Sequence, residues 1–228
     1  MLAKNTFKLL SLVSRKYKAR HSYFLRKYLE EYNKNLKLKS FGNFKLWMRD
    51  YDIFSLNEVF VDKNYSILED FLPKQGYVVL DLDAGVGDYA LLSSVRVGKR
   101  GKIISIEADP STFQILKRNI RENGLKNVIP LNIFVSSQPK QNIDYIAEKF
   151  KLKKVDLIKM DIEGEEYNAI RGAKKTIAEF KPRIVAEIHS KKLREDILKF
   201  LGEYGYKLIF EKVKKDYGFY LDYFEFKP

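Results

Sequence analysis

Residues 77–107, YVVLDLDAGVGDYALLSSVRVGKRGKIISIE, decide the fold. An apolar run, Val78-Val79-Leu80, ends on Asp81, and a turn of small residues, Ala84-Gly85-Val86-Gly87, follows it. A helix-like segment from Asp88 to Val97 leads to a second apolar run, Ile103 to Ile106, which ends on Glu107. Strand, glycine turn, helix, strand and terminal acid make one βαβ unit of the nucleotide-binding type. Glycines let backbone N–H groups come close to a ligand, and a helix N-terminus favours electron-rich atoms. An acid closing the second strand can accept both hydroxyls of a ribose.

Two ligand classes fit the unit. Gly85-Val86-Gly87-Asp88-Tyr89-Ala90 reads as G-x-G-x-x-A, and Glu107 lies 22 residues beyond Gly85, close to dinucleotide spacing. Against a dinucleotide stands Asp81, whose charge would repel a pyrophosphate and attract the ammonium of a methionine moiety. The acid therefore favours S-adenosylmethionine over NAD.

Outward from this unit, apolar runs and helical patterns alternate. Ser55–Leu72 leads in, with a helix expected around Ile67 to Leu72. Asp109-Pro110 starts a helix that Asn123-Gly124 stops. Further strands are expected at 127–135, 155–160 and 183–189, with helices over 143–150, 170–180 and 193–204. Two alternating runs, YKLIFE and YGFYLDYFEF, read as a closing antiparallel hairpin. The fold class is α/β: a doubly wound, mostly parallel, seven-stranded Rossmann-like sheet with a terminal hairpin.

The first fifty residues differ in character. They hold thirteen Lys/Arg against three acids, a net +10, whereas the other 178 residues carry only +3. Phe7, Leu10, Val13, Tyr17, Phe24 and Tyr28 recur at helical spacing. Residues 1–54 are thus expected to be a basic, aromatic-rich helical extension, and 55–228 the main domain. The aromatic stripe is expected to dock on that domain, but basic and aromatic residues interleaved also suit nucleic acid or another acidic surface. His21 reads as a surface residue. With no cysteine and no run near the ~20 apolar residues of a membrane helix, the chain has neither disulfide nor thiolate metal site. The reading is a cytoplasmic protein without a transmembrane segment.

In a doubly wound sheet the ligand lies at the carboxyl ends of the strands. Four of the five parallel strand ends carry acids: Asp81 and Asp83, Glu107, Asp161 with Glu163, and Glu187 with His189. The fourth is the most specific, KMDIEGEE (159–166), where Asp161 emerges directly from an apolar strand and Gly164 permits a sharp turn into a helix.

DLDAGVGDYALL, IEADPSTFQILKRNIREN, KMDIEGEEYNAIRGA and IVAEIH together resemble the FkbM family of S-adenosylmethionine-dependent methyltransferases, over about Glu58 to His189. The resemblance implies O-methylation of a hydroxyl on a small molecule or glycan. It also implies roles. Asp81, Gly85 and Gly87 would line the methionine part of the cofactor, Glu107 would hold the ribose, and Asp83, Ala84 and Ala108 would adjoin them. Asp161 and Glu163 would face the methyl-transfer crevice. One position departs from the pattern: the family turn reads acid-x-Gly-x-Gly-x-Gly, and its first glycine is here Asp83. That carboxylate either adds to the pull on the ammonium or blocks the site, leaving a non-enzymatic binding protein. Some tRNA guanine methyltransferases resemble this chain in carrying a non-glycine before A-G-V-G.

The expected chemistry is in-line transfer to an oxygen, aided by a base. Asp161, Glu187 and His189 are the candidates, and Glu163 completes the catalytic set. No metal is required by the spacing, although Asp161 with Glu163 or Glu187 offers oxygen ligands to a divalent cation. An RNA acceptor remains the alternative, motivated by the basic arm. No Asn-Pro-Pro-aromatic segment follows the fourth strand, which argues against exocyclic amines as targets.

Overall fold

The computed structural model describes residues 36–214 and 219–226. Nine strands form two sheets among these residues. Strands β1 (Lys37–Phe41) and β2 (Phe44–Met48) make an antiparallel hairpin. The remaining strands are β3 (Val78–Leu82), β4 (Lys102–Glu107), β5 (Val128–Asn132), β6 (Leu157–Met160), β7 (Arg183–Ile188), β8 (Tyr206–Lys214) and β9 (Phe219–Phe226). They lie in the order β5-β4-β3-β6-β7-β9-β8, with β9 antiparallel to both neighbours and all other pairings parallel. The sheet and its closing hairpin are those expected from the alternation of apolar runs.

The helices are α1 (Ile53–Phe60), α2 (Asp88–Val97), α3 (Pro110–Glu122), α4 (Ile143–Lys149), α5 (Glu166–Arg171), α6 (Lys174–Phe180) and α7 (Lys191–Glu203). Burial of both faces explains the continuous apolar strands. Leu80, Leu82, Ile104 and Ile106 point into one core with α4 to α7. Val79, Ile103, Leu157 and Val185 point into the other, against Val59, Tyr65, Phe71 and Tyr89. The chain enters at β3 in mid-sheet, runs outward to β5, then crosses back to β6 beside β3. The crevice between those two is the topological switch point, where ligands of such sheets bind.

Three local expectations are corrected. The lead-in helix lies at Ile53–Phe60, and only a single 3-10 turn, Glu69–Phe71, occupies the place expected for it. The helix expected over 170–180 is two helices, parted at Gly172, where an added Cβ would lie 2.7 Å from the Ser136 carbonyl oxygen. Residues 37–48, assigned to a helical extension, are instead a β-hairpin closed by Gly42-Asn43, with Gly42 at φ 58. The helical reading of Phe7 to Tyr28 lies outside the described residues.

The hairpin is fastened to the main sheet's helical layer by side chains that imitate a further strand. Lys45 N donates to Asn123 Oδ1 (2.9 Å), and Asn123 Nδ2 donates to Lys45 O (2.7 Å). One helical turn earlier, Trp47 N donates to Asn119 Oδ1 (2.7 Å), and Asn119 Nδ2 donates to Trp47 O (2.9 Å). The match is metric: four helical residues rise ~6 Å and two strand residues ~6.6 Å. Leu46 and Met48 are fully buried with Leu56 of α1 and Leu91 of α2. Among the described residues, no helix is long and apolar enough to cross a membrane.

Candidate functional site

The ends of β3 and β4 build one half of the crevice. Asp83 and Gly85 both have left-handed backbones, φ 60 and φ 53. Asp is among the few non-glycine residues that tolerate that region, which is how the turn survives without its first glycine. A Cβ added at Gly85 would meet nothing within 4 Å, so space lies over this peptide, whereas one at Gly87 would come within 2.9 Å of Leu116. Glu107 is buried and held by backbone donors: Gly85 N to Oε2 (2.9 Å) and Asp109 N to Oε1 (2.7 Å). Burial and the adjacent Glu107 charge push the Asp83 carboxyl well above the usual carboxylate range, and it hydrogen-bonds to Glu107. Burial raises the Glu107 carboxyl as well, against the pull of its backbone donors, so the charged form of each acid in this corner is disfavoured.

Beside this corner lies a cleft of about 180 Å³ lined by Asp83, Ile106, Ala108, Ile133, Phe134, Val135, Ile162, Glu163 and Glu165. Most of its wall is apolar, and Phe134 is half exposed at its edge. The size and lining suit a flat aromatic ring, with Glu107 close by for an attached sugar. A larger hollow of about 260 Å³ lies at the opposite end of the strands, lined by Tyr77, Lys154, Asp156, Arg183 and Glu225 among others. Its charges are already paired, Arg183 with Glu225 at 2.7 Å and Lys154 with Asp156 at 2.9 Å.

Asp81 lies beneath the turn and is inaccessible to solvent. Its cross-strand neighbours on either side are Ser105 and Lys159. Ser105 Oγ donates to Oδ2 (3.3 Å), and Lys159 Nζ sits 3.6 Å from Oδ1. Lys159 Nζ also donates to the carbonyls of Leu82 (3.2 Å) and Asp83 (2.7 Å), and lies 5.1 Å from the Tyr65 ring centre. Burial pushes the Asp81 carboxyl up to about 7 against the pull of Lys159. Burial works to lower the Lys159 pKa, but the carboxylates of Asp81, Asp161, Asp83 and Asp88 outweigh it and hold the ammonium above its ordinary range. The acid that the sequence aimed at a ligand's ammonium is therefore engaged with an internal one.

The ends of β6 and β7 build the other half. After Met160 the chain turns through two left-handed residues, Glu163 (φ 51) and Gly164 (φ 103), into α5. Glu166, with no solvent exposure, accepts from Gly164 N (2.8 Å) and contacts His189 Nδ1 (2.8 Å), both through Oε1. The other imidazole nitrogen, Nε2, is 3.5 Å from Glu163 Oε2 and 3.7 Å from both Asp161 Oδ1 and Glu187 Oε1. Tyr65 donates to Asp161 Oδ2 (2.8 Å). Burial alone would lower the His189 pKa, but the bond to Glu166 and the charges of Asp161 and Glu163 raise it to about 9. At neutral pH this imidazole carries its proton. Asp161 and Glu163 after β6, with Glu187 and His189 at the end of β7, thus converge on one spot.

Comparison with known proteins places this geometry. The Methyltransferase FkbM domain matches residues 132–208, and the TRM5/TYW2 methyltransferase domain matches residues 69–163. Between them the matches run from the lead-in of β3 into β8. Two methyltransferase models thus match, each over less than half of the chain, and the fold is that of S-adenosylmethionine-dependent methyltransferases. An aminocarboxypropyltransferase of Methanocaldococcus jannaschii that acts on 4-demethylwyosine(37) of tRNA(Phe) is 28% identical over 153 residues, 64% of this chain and 55% of that protein. Protein-L-isoaspartate O-methyltransferase 1 of Archaeoglobus fulgidus is 38% identical over 56 residues, 25% of this chain and 26% of that one. The chain thus spans between about a quarter and about half of the length of these curated relatives. In fold, it resembles Pyrococcus horikoshii TYW2 in complex with MeSAdo (TM-score 0.55, 20% identity, 85% of this chain and 72% of that one). It also resembles Aeropyrum pernix fibrillarin with natively bound S-adenosyl-L-methionine (TM-score 0.54, 17% identity, 83% and 82%).

Within this methyltransferase fold, sequence reasoning found the acids and the glycines but missed four contributors. Lys159 and Tyr65 sit under the turn and behind Asp161, Glu166 fixes the imidazole, and Ile133–Val135 walls the cleft. Only the last left a local signal, an apolar run outlasting its strand: β5 stops at Asn132, and the three residues beyond it line the cleft.

Proposed function

We propose that this chain transfers a methyl group from S-adenosylmethionine to an RNA acceptor. The observation that carries the cofactor half is Glu107, fixed by two backbone donors between Ile106 and Ala108 of an apolar cleft, with open space over Gly85. In this reading the ring of adenine enters the cleft against Phe134, and the ribose hydroxyls donate to Glu107. When bound, S-adenosylmethionine supplies a methyl group already activated on a sulfonium. The chain's task is then to align the acceptor and to remove its proton. Asp161 and Glu187 are the groups placed to receive that proton, because His189, pushed to about 9, already holds one.

Three facts support RNA: the TRM5/TYW2 match over 69–163, the M. jannaschii relative whose name specifies tRNA(Phe), and the +10 charge of the first fifty residues. The carboxylates at the β6 and β7 ends would repel a phosphate but accept the N–H edge of a base swung into the crevice. A second reading, O-methylation of a small-molecule or glycan hydroxyl, is favoured by the FkbM match, which spans those same acids.

Calorimetry with S-adenosylmethionine tests the cofactor half; no binding at millimolar ligand would overturn it. For the acceptor, the full-length protein is incubated with labelled cofactor and RNA. Labelled RNA, with affinity falling steeply as salt rises, is expected. A flat salt response and unlabelled RNA would leave the hydroxyl reading. The product's mass shows whether a methyl or an aminocarboxypropyl group has moved.

A further inference from the structure

At the ends of β6 and β7, Asp161, Glu187 and His189 each offer one ligand atom to one point, these atoms lying within 4.8 Å of one another, and His189 Nε2 faces Asp161 Oδ1 and Glu187 Oε1. The two nitrogen–oxygen separations within this set are both 3.7 Å. That exceeds an N–H···O hydrogen bond, at about 2.7–3.2 Å. It is close to the spacing of ligands around one ion, since bonds of about 2.0–2.2 Å at tetrahedral angles separate ligand atoms by roughly 3.3–3.6 Å.

A second, independent observation concerns the groups behind these atoms. A ligating histidine characteristically gives its other ring nitrogen to a carboxylate, and a ligating carboxylate is itself hydrogen-bonded through its spare oxygen. Both supports are present. Glu166, fully buried, holds His189 Nδ1 at 2.8 Å and so turns Nε2 toward Asp161 and Glu187. Tyr65 holds Asp161 Oδ2 at 2.8 Å and leaves Oδ1 for the shared point. The second oxygen of Glu166, Oε2, is buried with no hydrogen-bond partner among the described residues, so this acid serves the imidazole and the Gly164 N–H through Oε1 alone. An interior carboxylate is a costly way to hold a merely structural histidine.

We propose that Asp161, Glu187 and His189 bind a single divalent transition-metal ion, with Tyr65 and Glu166 orienting two of the three ligands. One imidazole with two carboxylates suits zinc or manganese better than an all-oxygen ion such as calcium. Three protein ligands leave a coordination position for water or an acceptor atom. The site does not depend on the proposed reaction and stands even if the chain methylates nothing.

The test is made on full-length protein stripped with a chelator and titrated with manganese, followed by electron paramagnetic resonance. One tightly held ion per chain is expected, with spin-echo modulation from a single imidazole nitrogen. The chain has only two histidines, so assignment is direct. His21→Gln should keep the nitrogen signal, and His189→Gln should abolish it. Glu166→Gln should weaken binding by roughly tenfold. Binding only at millimolar manganese, or a wild-type complex with no nitrogen coupling, would overturn the proposal even if the variants failed to fold. Persistence of the coupling in a folded His189→Gln protein would do the same. Zinc is then tested by competition. S-adenosylmethionine affinity, measured on the same stripped protein, reports separately on the methyltransferase reading.

Discussion

The two halves of the crevice treat their acids in opposite ways. Around β3 and β4 each carboxyl is matched to a partner: Asp81 to Lys159, Glu107 to two backbone N–H groups, Asp83 to Glu107 by a side-chain hydrogen bond. Around β6 and β7, Asp161, Glu163, Glu166 and Glu187 share one imidazole. The first half is finished before any ligand arrives. The second gathers more negative charge than His189 can offset, and a cation or a donor-rich acceptor would complete it. In the proposed reaction a cofactor of fixed shape calls for a preformed cradle, whereas the half assigned to the acceptor holds its charge in reserve.

Substitutions can break this contrast. The largest effect is expected from Lys159→Met, which leaves Asp81 buried without its counter-charge. A loss of about 3–5 kcal/mol is expected in urea unfolding. A loss under about 1 kcal/mol would mean that protonation alone satisfies Asp81.

Next comes pH. The folded-state pKa of His189 is raised to about 9 from an ordinary 6.5, so the protonated form is favoured by folding. Its contribution is fully present below about pH 6.5 and is lost as pH rises through about 9, up to about 3 kcal/mol in all. Unfolding free energies of the chelator-stripped protein, in which no ion competes for the imidazole, should fall across that interval for the wild type and flatten in His189→Asn. Equal slopes would show that the acids of β6 and β7 do not act through this imidazole.

Glu107→Gln sharpens the other side. It keeps the shape but loses the charge offered to the ribose, and S-adenosylmethionine should bind roughly 10- to 100-fold more weakly. The same change should scarcely alter manganese binding. The smallest effect belongs to Asp83→Gly. Relief of a left-handed non-glycine backbone should stabilise by about 1 kcal/mol, with cofactor affinity unchanged or raised. A drop in affinity would instead make the Asp83 carboxyl a direct ligand group.

Legibility in the sequence followed the same division. The cradle was readable because its chemistry is local: glycines, a strand-ending acid and a fixed spacing lie within 77–107. The acceptor half was readable as a set of strand ends, since a doubly wound sheet brings carboxyl termini together wherever they fall in the chain. The supports were not readable. Tyr65 reaches Asp161 across 96 residues, and Lys159 crosses to Asp81 through a sheet register that no local pattern encodes. The hairpin at 37–48 is a different failure. Its two-residue Gly42-Asn43 loop between Phe41 and Phe44 is an ordinary hairpin signal, overshadowed by the basic, aromatic composition around it.

That hairpin brings one further consequence. Asn119, which grips the backbone of Trp47 on both sides, also donates to the Val86 carbonyl inside the glycine turn (2.8 Å). A single amide therefore belongs at once to the anchorage of the 37–48 hairpin and to the glycine turn. By thermodynamic reciprocity, whatever steadies the turn through this amide also tightens the grip on the hairpin.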